Sequence, residues 1–156
     1  MIKIDNSNDY NVGIYIRTGK YLNTNEVVDK QKRILDTFVN NNNLKVHKYY
    51  IDIGTRDEKD GLNNMIKDIQ ARKINMIIVK ATEVLTRDLF IFLDIMSIIE
   101  QNKARYIAVE GDIDSEDSSF FLKKNKDIFI KWLEDKKKDE MKKRGKYNRL
   151  KKVKTN

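Results

Sequence analysis

Apolar positions along the chain fall in short blocks separated by charged stretches, and the spacing within the blocks switches between strand-like and helix-like. Residues 12–17, VGIYIR, form a compact apolar run ending in an arginine and predict a first strand, with a turn at Thr18, Gly19 and Lys20. From Asn23 to Asn40, Val27, Val28, Leu35, Phe38 and Val39 recur near helical spacing, with Asn23 placed as N-cap and Glu26 three residues on. Asn40 to Asn43 end that helix. Residues 44–52, LKVHKYYID, alternate as a second strand, and the polar run GTRDEKDG reads as a loop. Gly61 then opens a second helix carrying Leu62, Met65, Ile66 and Ile69.

The run INMIIVK, 74–80, is apolar up to its final lysine, as a strand buried on both faces of a parallel sheet requires. After a loop at Ala81 to Arg87, residues 88–102 are apolar nearly all round. One sheet face cannot bury all of that helix, so a second surface has to cover it, and a dimer partner is a candidate. A last core strand, RYIAVE, ends at Glu110. The acidic loop GDIDSEDSS separates it from a long charged helix starting near Phe120, whose few apolar positions are Ile128, Ile130, Trp132 and Leu133.

Strands alternating with helices over residues 12–110 predict an α/β fold: a three-layer sandwich with a mainly parallel sheet flanked by helices, followed by a long C-terminal helix and a basic tail. With 156 residues there is room for one core and an appendage. The expected division is an N-terminal extension at 1–11, a core domain at 12–119 and a charged helix with its tail at 120–156.

Charge sharpens this picture. The net charge is +8, and the last 26 residues, with 12 lysines and arginines against 4 carboxylates, hold all of that excess. A neutral body with a cationic tail points to a polyanion, either a nucleic acid or an acidic membrane surface; a solubilising tail is the plainer reading. No cysteine is present and His47 is the single histidine, which leaves no thiolate zinc site and little for a nitrogen-ligated metal. His47 falls in an alternating strand and reads as ordinary strand decoration. The most apolar stretch, Leu89 to Ile99, is interrupted by Asp94 and Ser97 and falls far short of the ~20 residues that span a bilayer. The first ten residues carry no signal-like apolar run, so the cytoplasm is the expected compartment.

In sheets of this kind ligands gather beyond the carboxyl ends of the strands. The first strand delivers Arg17, Thr18 and Gly19 there, the second leads to Arg56 and Lys59, and the third to Lys80, Glu83 and Arg87. Guanidinium and ammonium groups converging on one edge suit phosphate oxygens. The same residues also read as solvated loop charges, and their types alone leave both readings open.

Five segments in order carry a resemblance. GIYIRTGKY through DKQKRILDTF, with Tyr15, Arg17 and Gln31, resembles the opening of the resolvase/invertase (serine recombinase) catalytic domain, where a strand bears Tyr-x-Arg-x-Ser and a Gln-containing helix follows. YIDIGTRDEKDGL, INMIIVKATEVLTRDLF and ARYIAVEGDID resemble its later loop, strand and Asp-containing segments. A charged helix with Trp132 ahead of Gly145 completes the match over about 12–147.

The resemblance implies an active site that joins a serine to a DNA 5′ phosphate, with arginines around the phosphate and neither metal nor cofactor. Gly19 stands at the serine position, so that nucleophile is absent. Arg17 and Arg87 match the family's arginines, Lys59 and Val84 replace two others, and Glu83 replaces an aspartate. Lysine lacks the bidentate fork and valine has no charge. Thr18 should point away from the side Gly19 faces, and Tyr21, Thr82 and Thr86 are the other nearby hydroxyls.

The resemblance also implies that the C-terminal helix serves dimerisation and lies along double-stranded DNA. Its contacts would come from Lys136, Lys137, Lys138, Lys142, Lys143, Arg144, Lys146, Arg149, Lys151 and Lys152, with Lys154 beyond, and would touch phosphates without choosing a sequence. Three functions remain: a non-catalytic module that binds DNA or pairs with an active recombinase, an active recombinase with a non-standard nucleophile, and a remnant without a DNA role. The partner is duplex DNA, with a homodimer or a related recombinase as the expected protein associate.

Overall fold

The structure is a computed structural model that describes residues 2–55, 57–117 and 126–155. Two compact units make up the chain, Met1–Ser118 and Ser119–Asn156. The first contains β1 (Asn11–Thr18), α1 (Thr24–Asn41), β2 (Lys45–Ile53), α2 (Asp60–Gln70), β3 (Met76–Val79), α3 (Thr82–Leu85), α4 (Leu89–Gln101), β4 (Arg105–Ala108) and β5 (Ile113–Asp114), and the second contains α5 (Lys126–Thr155).

One five-stranded sheet has the order β2-β1-β3-β4-β5. The first three pairings are parallel and β4 pairs β5 antiparallel. This order dictates the layers. The chain moves one way from β1 to β2 and the opposite way from β2 through β3 to β4, and right-handed crossovers then place α1 on one face and α2 and α4 on the other. The two cores follow. Val12, Ile14, Ile16, Met76 and Ile78 pack with Leu35 and Val39 of α1, whereas Tyr15, Ile77 and Val79 pack with Met65, Ile69, Ile95 and Ile99 of α2 and α4. All four residues of β3 are buried, as its continuous apolar run requires.

Several local expectations change. Ala81 to Arg87 is not all loop, since Thr82–Leu85 forms one helical turn. The acidic stretch after β4 contains β5. Asn23 occupies the N-cap position of α1 but its side chain makes no capping bond; the neighbouring Thr24 closes that turn instead, its hydroxyl accepting from the Tyr21 amide at 2.8 Å and donating to the Tyr21 carbonyl at 2.7 Å. His47 is exposed on β2. The α4 surface away from the sheet leaves Phe90 and Leu93 exposed. The expected helix start near Phe120 lies outside the described residues, as do the side chains of Ile128, Ile130, Trp132 and Leu133. Among the described residues no helix is long and apolar enough to cross a membrane.

The far edge of the sheet is closed by a buried arginine. Arg105, 5% exposed, forms a bidentate pair with Asp114 of β5 (Nε 3.0 Å, Nη2 2.7 Å). The same guanidinium donates to the Tyr10 hydroxyl and the Lys3 carbonyl, each at 3.1 Å, and lies 3.1 Å from Glu116. Ile2 packs into the core on the α1 face, so the stretch before β1 is tied to the domain. Removing one member of such a buried pair strands the other charge. Arg105→Ala is therefore expected to lower stability by about 3–5 kcal/mol in urea unfolding, far more than alanine at exposed Lys45.

Candidate phosphate-binding site

The reversal of strand direction opens a crevice between β1 and β3 at the carboxyl edge of the sheet, where the loops after those strands diverge. Alternation along β1 decides what enters it. Ile14 and Ile16 face α1, Tyr15 faces α2 and α4, and Arg17 and then Gly19 continue on the Tyr15 side. Thr18, buried, falls by the same alternation on the α1 face.

Asp52, near the end of β2 and 5% exposed, is the hub of this region. Its carboxylate accepts from the Tyr15 hydroxyl at 2.8 Å and from the Gly61 and Leu62 amides at 2.7 and 2.9 Å, and it lies 3.9 Å from Arg17 Nη1. Those amides are unpaired donors of the first turn of α2, where a negative charge is favoured. A Cβ on Gly61 would come within 2.9 Å of Asp52 Oδ1, so glycine there permits the close approach. Burial raises the Tyr15 phenol well above its ordinary value, and the Asp52 carboxylate adds to the effect against the opposing pull of Arg17. Tyr15 is thus a neutral phenol that donates to Asp52.

Arg17 is held from three sides. Its Nη2 donates to the Thr55 carbonyl at 2.6 Å, and its Nη1 to the Glu58 carbonyl and the Tyr15 hydroxyl, each at 3.3 Å. From α1, Gln31 donates to the Arg17 carbonyl at 3.2 Å, while Gln31 Oε1 is buried with no hydrogen-bond partner.

Arg17, Gly19, Lys59, Glu83 and Arg87, which the sequence placed at strand ends, line one cavity of about 590 Å³. Lys59 and Arg87 make no ion pair with any described residue, and their charges are available to an anion. Val84 also lines the cavity and adds no charge. The other two strand-end cations differ: Lys80 turns to Glu110 at 3.5 Å and is not part of the lining, and Arg56 lies outside the described residues. Three carboxylates, Glu83, Asp88 and Asp94, line the cavity beside the three cations, and of these Asp88 is engaged in capping α4 through the Phe90 and Ile91 amides at 2.9 and 3.1 Å. The deeper wall is aliphatic, with Leu62, Ile66, Ile95 and Ile98. Among the described residues no cluster of three His, Asp or Glu is arranged to hold a metal ion.

The candidate hydroxyls separate clearly. Thr82 accepts from the Tyr106 hydroxyl at 3.1 Å, and Thr86 accepts from the Asp88 amide at 3.0 Å. Tyr21 is different. A Cβ built on Gly19 would lie 3.1 Å from its Cε2, Cζ and hydroxyl, so the phenol end of Tyr21 rests over the glycine. Neither the Asp52 hub nor this seating of Tyr21 is expected from the sequence. A carboxylate at a strand end followed by Asp60-Gly61 at a helix start was the available signal for the first.

On α5, Lys137, Lys138, Lys142, Lys143, Arg144, Lys146 and Arg149 are exposed and Lys136 is half-buried, while the side chains of Lys151, Lys152 and Lys154 lie outside what is described.

A mainly parallel sheet of this order, with Arg17, Lys59 and Arg87 lining a crevice at its reversal point, is the architecture of a doubly wound α/β domain. Residues 12–152 match the family described as Resolvase, N terminal domain, and the chain belongs to that family. Its fold is that of serine recombinase catalytic domains. The N-terminal catalytic domain of TP901-1 integrase is 23% identical, with a TM-score of 0.65 over 80% of this chain and 97% of that one. A resolvase family site-specific recombinase from Streptococcus pneumoniae is 19% identical, with a TM-score of 0.68 over 90% and 99%. The C-terminal catalytic domain of ISC1926 TnpA, an IS607-like serine recombinase, is 20% identical, with a TM-score of 0.57 over 64% and 70%. No curated protein matches the chain.

Asp52→Asn offers one acceptor and one donor group where the carboxylate met only donors. Its expected cost is about 1–3 kcal/mol, read as a lower urea midpoint.

Proposed function

We propose that this chain is a DNA-associated recombinase-family module that holds a backbone phosphate without cutting it by the serine route, acting alone or paired with an active recombinase. The observation that carries the reading is Gly19. It lines the same cavity as Arg17, Lys59 and Arg87 but has no side-chain oxygen with which to form a phosphoester. Val84 supports it further, because an apolar side chain at a position where the family has an arginine removes charge that a phosphoryl transition state needs. Lys59 and Arg87, which form no ion pair with any described residue, and the exposed cations of α5 favour binding that is electrostatic and indifferent to sequence.

A second reading has a specific observation behind it. The Tyr21 hydroxyl lies 3.1 Å from where a side chain on Gly19 would begin, and a phenol there could serve as a non-standard nucleophile. Against this, no described residue hydrogen-bonds that hydroxyl to align or deprotonate it, and the missing guanidinium remains missing.

Two experiments bear on the choice. In mobility-shift titrations the chain should bind duplex DNA at low salt, and replacing Lys142, Lys143 and Arg144 by glutamine should flatten the plot of log affinity against log salt by about 0.9 for each phosphate no longer neutralised. Failure to shift any duplex at low salt would leave a remnant without a DNA role. In adduct trapping on nicked and intact duplexes, the natural chain and Gly19→Ser should both yield no covalent complex. An adduct formed by the natural chain and abolished by Tyr21→Phe would establish the tyrosine as nucleophile.

A further inference from the structure

We propose that Gly19 is the seat of a nucleobase platform: the Tyr21 ring, resting over the glycine with Leu22 beside it, stacks on an unstacked base of the strand whose phosphate enters the Arg17, Lys59 and Arg87 crevice. The inference rests on the DNA reading above and adds the class of DNA preferred, namely single-stranded, gapped or mismatched.

Three observations converge on it. The ring of Tyr21 lies closer over position 19 than a side chain there would allow unshifted, since a Cβ 3.1 Å from its Cε2, Cζ and hydroxyl would make the ring give by a few tenths of an ångström. Tyr21 is nonetheless 65% exposed and Leu22 fully exposed, so a face of the ring and an entire leucine stand in water. The turn that presents them is not slack: the Tyr21 amide donates to Thr24 Oγ1 at 2.8 Å, and its carbonyl accepts from the Thr24 hydroxyl at 2.7 Å and the Thr24 amide at 3.3 Å.

An exposed aromatic and an exposed leucine presented on a hydrogen-bonded turn are a contact surface, and the adjoining charge says for what. Arg17 lies four residues before Tyr21, with Lys59 and Arg87, which form no ion pair with any described residue, in the same crevice. Cations that take a phosphate beside an aromatic face that takes a base are the combination by which proteins grip single-stranded nucleic acid. In an intact duplex the base faces are already stacked, so the platform favours DNA in which one has been freed.

The test uses the full chain and an oligonucleotide carrying 2-aminopurine, single-stranded or opposite a gap. Binding by the natural chain should quench the probe by stacking. Tyr21→Ala should abolish the quench and weaken binding to this DNA on the order of 10-fold, with no change in the salt slope because no charge is removed. Tyr21→Phe, which keeps the ring, should behave as the natural chain. Gly19→Ala, which keeps Tyr21 but displaces it, should lose part of the quench. An unchanged far-UV spectrum and urea midpoint would show that each variant is folded. Equal affinity and equal quench for Tyr21→Ala, or loss of both in Tyr21→Phe, would overturn the platform while leaving the DNA reading intact. Absence of binding by the natural chain to every DNA would overturn both.

Discussion

The carboxylate of Asp52 joins three elements that would otherwise be independent: the end of β2 on which it sits, the amino terminus of α2 whose amides it accepts, and β1 through Tyr15 and Arg17. A buried charge is costly unless it is paired and fully hydrogen-bonded. Here two amides, a phenol and a nearby guanidinium meet that requirement. Because the same guanidinium also donates to the Thr55 and Glu58 carbonyls, the β2–α2 loop and the first strand are held in one fixed relation. The crevice depends on that relation, since Lys59 precedes the first residue of α2 and Arg17 is the last residue but one of β1.

The geometry separates holding a phosphate from breaking one. Holding requires cations with donors to spare, and Lys59 and Arg87 pair with no described residue while Arg17 is oriented by its own partners. Breaking requires in addition an attacking oxygen and enough positive charge to stabilise the transition state. On the proposed reading the fold retains the first set, and Gly19 and Val84 remove parts of the second. On the platform proposal Gly19 also has a positive consequence, because its missing side chain leaves room for the phenol end of Tyr21 above it.

The layered fold was legible because β1, β3 and β4 are buried on both faces along most of their length, most clearly at Met76–Val79, whose sequence is a continuous apolar run, while β2 alternates. β5 was not: two residues in an acidic stretch carry no period, and its pairing is set by Arg105, whose partner Asp114 lies nine residues on. The single turn of α3 is too short for any helical repeat to show. At the crevice, Gly19, Arg17, Lys59, Glu83 and Arg87 could be placed because strand ends and the family resemblance converge on them. Asp52 looked like one acid in an alternating strand, since its amide partners belong to the next helix and only the folded chain brings them together. The Tyr21 seating depends on a contact between a side chain and an absent one, which no pattern of residue types expresses.

If the crevice takes a DNA phosphate reversibly, the arginines that line it must sense the DNA and release it. Side-chain NMR of the arginine Nε–H groups during titration with a nicked duplex reads this at the residues concerned. Resonances of Arg17 and Arg87 should move as DNA is added and return when the salt is raised. Movement confined to Arg144 and Arg149 of α5, with Arg17 and Arg87 unperturbed at saturation, would show that the phosphate never enters the crevice.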